Sequence, residues 1–225
     1  MRLLFACCAV SLLFATARAQ APAPAPPKAK PPKPSEIKLV GDRFRPLTYE
    51  EMTPEQKTMV TNLLNGERGG AGGPFNVLLR SPEMGDIAQK LGAQTRFHTE
   101  LPDKLRELAI IITARHWTAQ FEWYAHRRAA EQAGLSKEII EAIRTGKRPT
   151  GMSADEETLY NFSSELLRTS QVSDATYAAA IKAFGERRVV NVIGLMGWYS
   201  LVSMALNVDR YPLPDGVKPE LQPLR

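Results

Sequence analysis

From about residue 50 onward the apolar positions recur at helical spacing, and the runs between them are bounded by residues that start and stop helices. Thr53-Pro54-Glu55-Gln56 is a capping box with proline at the first helical position, which predicts a helix to about Asn65. Pro82 to Leu91 predicts a second helix. A third opens at Pro102-Asp103 and runs to about Ala114. The next spans about Thr118 to Ala133, with Thr118 as its cap, and stops at Gly134, a residue type that ends helices without steric penalty. Ser136 caps a short helix to about Thr145, and Ser153-Ala154-Asp155-Glu156 is a second capping box that starts a helix to about Thr169. Ser173 opens a helix to about Phe184, and the last runs from about Glu186 to Asn207. No segment alternates as a strand does and no hairpin signal is present, so the expected fold is all-α.

The last helix carries no charge from Val189 to Val208, a length that spans a bilayer. Asn191, Gly194, Gly197, Ser200 and Ser203 dilute it, and Gly194 and Gly197 permit close helix contact. The expected role is a buried helix at a bundle centre or subunit interface, with no stable transmembrane span. Residues 67–74, Glu-Arg-Gly-Gly-Ala-Gly-Gly-Pro, form a glycine-rich loop. It is no phosphate-binding loop, since no Gly-Lys-Ser/Thr follows and no strand precedes, and it reads as a tight turn beside a packed backbone.

The first 38 residues differ in kind. Arg2, the apolar run Leu3–Phe14 and the small-x-small site Ala17-Arg18-Ala19 predict a cleavable signal peptide over residues 1–19, and hence a periplasmic or secreted protein. Residues 20–38 are rich in proline, alanine and lysine and favour an extended linker. The domain then occupies residues 39–225. The formal charge of +5 belongs to the leading segments. Arg2 and Arg18 supply two of these charges, and Lys28, Lys30, Lys33 and Lys38 less Glu36 supply three. Residues 39–225 are left neutral, which argues against a nucleic-acid partner. The two cysteines, Cys7 and Cys8, both lie in the expected signal. A mature chain without them excludes disulfides, thiolate metal sites and cysteine nucleophiles.

Candidate chemistry lies in one stretch. Glu107 stands among Leu105, Leu108, Ala109 and Ile110, and a carboxylate in apolar surroundings is expected to have a raised pKa, which suits proton transfer. Glu122 and His126 are four residues apart on the next helix and share a face. The carboxylate is expected to raise the pKa of the imidazole and orient its ring. Glu122 falls in the first helical turn, where the helix dipole favours its anion. Arg115 is a candidate for a substrate carboxylate or an arginine near a helix end. His116 either caps a helix or lines the pocket, Trp117 and Trp123 are candidate pocket walls, and His98 reads as a surface residue. His116, His126, Glu107 and Glu122 include metal-ligand types, but their spacing matches no standard zinc motif, so neither metal nor cofactor is expected.

Leu105-Arg106-Glu107-Leu108 followed by Gln120-Phe121-Glu122-Trp123-Tyr124-Ala125-His126-Arg127-Arg128-Ala129-Ala130 resembles the carboxymuconolactone decarboxylase family, within the alkylhydroperoxidase D-like (AhpD-like) superfamily. The segment from Gly73 to Pro82, the Gly134-Leu135-Ser136 turn and Trp198-Tyr199 also fit, so the resemblance covers roughly residues 50–212. It implies a helical bundle that assembles into a homo-oligomer. In the peroxidase-like branch a Glu is followed by Cys-x-x-Cys and then a His. The Glu and His fall on Glu107 and His126, but the cysteine positions fall on Ala119 and Glu122. That disfavours thiol-dependent peroxidase chemistry. The decarboxylase branch, with a carboxylate four residues before the His, implies a cofactor-free acid/base lyase or isomerase acting on a small lactone or hydroxy/oxo acid. In that reading His126 is the main proton donor or acceptor, Glu122 orients and tunes it, and Glu107 is a second proton-transfer group or polarises the substrate. The alternative is a non-catalytic binding or scaffold member of the family.

Overall fold

The structure is a computed structural model and describes residues 32–223. The expected signal peptide, its two cysteines and the first part of the linker lie outside the described residues. Pro34–Glu36 forms a single 3-10 turn, and from Leu39 onward side chains enter the core.

The described residues form eight α-helices and no strand: α1 (Pro54–Asn65), α2 (Phe75–Leu78), α3 (Pro82–Phe97), α4 (Asp103–His116), α5 (Gln120–Gln132), α6 (Lys137–Arg144), α7 (Ala154–Thr169) and α8 (Asp174–Asp209). The fold is all-α. The caps at Thr53, Ser136, Ser153 and Ser173 each accept a backbone N–H from the first turn, which satisfies a donor the helix itself leaves free. α2 and α3 differ from the sequence expectation. α3 continues past Leu91 to Phe97, because Gly92 lies against the indole of Trp198: a Cβ there would stand 2.5 Å from Trp198 Cε2. The short α2 has no capping signal that would announce it.

α4 lies at the centre. From Glu107 to Arg115 every residue is buried, which a helix achieves only when neighbours cover it all round. Those neighbours are α5, α7 and α8. Leu108, Ile110, Ile111, Leu159, Leu195, Trp123 and Trp198 are among the fully buried residues of this core. α8 is one continuous rod only by its hydrogen bonding. Gly185, with φ 75° and ψ 161°, breaks it into the two helices expected on either side, a conformation that favours glycine. The apolar half of α8 is long enough to cross a membrane, yet 56% of its most apolar window is buried inside the protein. Val189, Val192, Leu195, Met196, Trp198, Tyr199 and Val202 face inward, while Val190, Ile193, Met204 and Val208 remain exposed.

The turn between α4 and α5 sets the site. Thr118 is not the cap of α5. It takes the left-handed conformation (φ 49°), and the N–H of Ala119 returns to the carbonyl of Ala114. This is the closing pattern of a helix C-terminus, so Thr118 ends α4 rather than starting α5. Ala119 is then the N-cap of α5, without a side-chain bond, and Glu122 still falls in the first turn.

The chain end is also structural. The Gln120 side chain donates to the carbonyl of Leu221 and accepts from the N–H groups of Glu220 and Leu221. Leu221 is buried against the core.

Candidate functional site

α4 and α5 form an antiparallel pair, and their facing sides bring Glu107 and His126 together. His126 Nδ1 donates to Glu107 Oε2 at 2.6 Å, and His126 Nε2 lies 3.0 Å from Glu122 Oε1. All three residues are buried. With a carboxylate at each ring nitrogen, the doubly protonated imidazolium is the form that satisfies both. Burial pushes the His126 pKa down, but the charge of Glu122 and the hydrogen bonds and charge of Glu107 outweigh it, so the net shift is upward.

Glu107 departs from the sequence expectation. Burial pushes its carboxyl up, as an apolar neighbourhood should, but the hydrogen bond from His126 and the charges of His126, Arg96 and Arg106 hold it below its ordinary range. The sequence expectation rests on its apolar neighbours Leu105, Leu108, Ala109 and Ile110 along the chain. Arg106 is a neighbour along α4, and the two cations with larger effects, His126 and Arg96, come from α5 and α3.

Two residues that sequence reasoning missed complete the cluster. Arg96, from the part of α3 beyond the expected end, places Nη1 3.2 Å from Glu107 Oε1, 3.1 Å from the Tyr199 hydroxyl and 3.5 Å from His126 Nδ1. Tyr199, from α8, packs its ring edge-on to the imidazole with centroids 4.9 Å apart. Its hydroxyl is held well above the usual phenol range, first by burial and then by the nearby carboxylates. Tyr199 therefore stays protonated. Only the Trp198-Tyr199 pair in the late helix hinted at it.

A cavity of about 320 Å³ opens onto this cluster. Glu122, His126, Arg96 and Tyr199 line it, together with Arg68, Gly72, Gly73 and Pro74 of the glycine-rich loop, Phe121, Trp198 and Tyr211. Glu107 does not line it and lies behind the imidazole. Tyr211 packs on Phe121 with centroids 4.4 Å apart and accepts the N–H of Gly73, which ties the loop to the cavity rim.

The remaining sequence candidates lie elsewhere. Arg115 bonds Thr118 and the carbonyl of Gln222, and with His116 it lines a separate cavity of about 400 Å³ beside Ile112, Ile143 and Tyr160. Arg115 and His116 are therefore not gathered with His126, and the four metal-ligand types noted in the sequence do not meet at one point. Trp123 is core: its ring is buried and its indole N–H donates to Glu220 of the C-terminal segment. Trp117 caps α4, stacks edge-on to His116 and offers its carbonyl to Asn207. His98 pairs with Glu67 on the surface, as expected.

Residues 82–162, which contain α4, α5 and the Glu107–Glu122–His126 cluster, match the carboxymuconolactone decarboxylase family. Over those residues the chain is similar to that family. Among solved structures it is similar to a crystal structure of a protein of unknown function from Agrobacterium tumefaciens, a putative antioxidant defence protein AhpD. The TM-score is 0.55 at 15% identity, over 61% of this chain and 97% of that one. Identity that low speaks for the fold alone. No curated protein matches the chain. Glu122 is the carboxylate on the cavity side of His126.

Proposed function

We propose that this family member is a cofactor-free acid/base enzyme, a lyase or isomerase acting on a small lactone or hydroxy/oxo acid. One observation carries the reading: the hydrogen-bonded line Glu107–His126–Glu122 ends in a carboxylate that faces a cavity.

On this reading the roles expected of the two glutamates are exchanged. Glu107, behind the ring, fixes the imidazole and balances its charge. Glu122 faces the substrate and exchanges its proton with His126 Nε2. For an isomerisation, Glu122 takes a proton from a carbon beside a carbonyl and returns it to another carbon of the resulting enolate. For a decarboxylation, loss of carbon dioxide leaves the same kind of carbanion, and the imidazolium proton reaches it through Glu122. Arg96 donates to the Tyr199 oxygen, which leaves the phenolic proton for the enolate oxygen. Both steps balance in protons and require neither oxidant nor metal.

A panel of small lactones and hydroxy/oxo acids in deuterium oxide tests the reading, with solvent deuterium at carbon followed by NMR. His126→Ala and Glu122→Gln should each lower exchange by about 10²–10⁴-fold. The reading fails if no member exchanges and His126→Ala leaves ligand-induced stabilisation unchanged, and a non-catalytic binding role then takes its place.

We propose further that the chain is a homo-oligomer. Val190, Ile193, Met204 and Val208 form an exposed apolar stripe along α8, and Met84, Ile87 and Leu91 form another on α3, which packs against α8. Contiguous apolar surface of this kind marks an interface.

A further inference from the structure

We infer that Arg68, carried by the glycine-rich loop, is the anchor for a substrate carboxylate, with the negative group held at the loop side of the cavity and the reacting carbon toward Glu122. The inference rests on the acid/base reading of the same site and adds the charge of the substrate and the residue that selects for it.

The charges of the cavity require such a residue. Two guanidinium groups and the His126 imidazolium face two carboxylates, Glu107 and Glu122, which leaves one positive charge uncompensated. Arg96 is not the surplus cation, because its Nη1 donates to Glu107 Oε1 and to the Tyr199 oxygen. Arg68 has no such partners. Its Nε and Nη2 are buried and form no hydrogen bond among the described residues. These two nitrogens make one edge of the guanidinium, and a planar carboxylate matches such an edge with two parallel hydrogen bonds.

The plane of the group is set in advance. The Arg68 guanidinium carbon lies 5.3 Å from the Phe75 ring centroid and 5.9 Å from that of Trp198. Contact with aromatic faces holds a guanidinium without occupying its N–H donors. A buried cation left without hydrogen bonds is costly, and structures retain one where a ligand completes it. Both nitrogens are closed to solvent in this arrangement, so an anion reaches them as the loop shifts, and the loop has room for that: a Cβ built at Gly69, Gly70, Gly72 or Gly73 meets nothing within 4 Å. A single surplus charge favours a monoanionic carboxylate over a phosphate dianion. Arg115, the sequence candidate for this task, is engaged with the C-terminal segment and lines the other cavity.

The test measures binding without turnover. Benzoate and benzamide, which share a shape and differ in charge, are titrated into the full chain and into Arg68→Gln, Arg68→Lys and Arg115→Gln, with affinities read by ligand-observed NMR and folding checked by circular dichroism. The wild type and Arg115→Gln should prefer benzoate by tenfold or more. Arg68→Gln should lose that preference, and Arg68→Lys should keep part of it, since the charge remains and the planar fork does not. A wild type without preference for the acid, or a folded Arg68→Gln that keeps it, overturns the inference. If Arg68→Gln does not fold, Arg68→Lys decides: an undiminished preference overturns the inference, a reduced one supports it. Loss of acid preference in Arg68→Gln alongside normal exchange in His126→Ala would sink the acid/base reading and leave the anchor standing.

Discussion

Glu107 Oε2 lies 2.6 Å from His126 Nδ1, in a hydrogen bond that joins α4 to α5 across 19 positions of sequence. Both side chains are buried, and each shifts the other toward its charged form. The bond therefore ties the stability of the helix pair to the protonation of the site.

Stability should follow pH in a defined window. The folded pKa of Glu107 is below its ordinary 4.5, so its contribution is present above that value and is lost as pH falls through the folded pKa. The folded pKa of His126 is above its ordinary 6.5, so its contribution is complete below 6.5 and is lost as pH rises through the folded pKa. The difference in Tm between the wild type and a Glu107→Gln/His126→Gln double variant should be greatest between pH 4.5 and 6.5 and shrink on both sides. A difference that stays flat from pH 3 to 9 would show that the pair contributes no linked stability.

Removing one partner should cost more than a surface ion pair. Glu107→Ala leaves a buried imidazolium and part of Arg96 without their acceptor, and the expected loss is about 3–5 kcal/mol by urea unfolding. The milder Glu107→Gln keeps an acceptor but not the charge, so the His126 ring protons should titrate at lower pH by NMR. An unchanged titration would place the charge balance of His126 on Glu122 alone.

Gly92 is where α3 approaches α8. A methyl group there would meet the Trp198 indole at 2.5 Å, against ring atoms that cannot bend away. Gly92→Ala should destabilise by about 1–3 kcal/mol through overpacking, despite the better helix propensity of alanine. Because Trp198 also lines the cavity and stacks on Arg68, the same variant should weaken benzoate binding. A neutral or stabilising effect in thermal melts would mean that the two helices can part at no cost.

The exposed stripe on α8 makes a prediction for assembly. Ile193 is 48% exposed and Val190 64% exposed, on a helix whose opposite face is core. Ile193→Asp should reduce the molecular mass seen by light scattering to that of one chain, with the fold intact by circular dichroism. A wild type that is already monomeric at micromolar concentration ends the proposal.

Local chemistry made most helices legible. Thr53, Ser136, Ser153 and Ser173 cap the helices they were expected to cap, because a side-chain oxygen accepting a first-turn N–H is an interaction within four residues. Glu122 and His126 were readable as a pair for the same reason: helical periodicity alone places them on one face. Gly185 marked the break in α8 because only its backbone favours that conformation.

What needed the tertiary structure was everything set by distant neighbours. Thr118 has a capping side chain, but the closing bond from Ala119 to Ala114 assigned it to the end of α4. α3 outran its expected end because Trp198, more than a hundred residues away, accepts Gly92 against it. The apolar neighbours of Glu107 along α4 argue for a raised pKa, yet His126 and Arg96 arrive from other helices and, with Arg106 beside it, reverse the sign, because Coulomb energy depends on distance in space. By itself the sequence determined the helices, the family resemblance and the trio Glu107, Glu122 and His126. Packing decided which glutamate faces the cavity, drew Arg96 and Tyr199 into the site, and left Arg68 rather than Arg115 as the unpartnered guanidinium beside it.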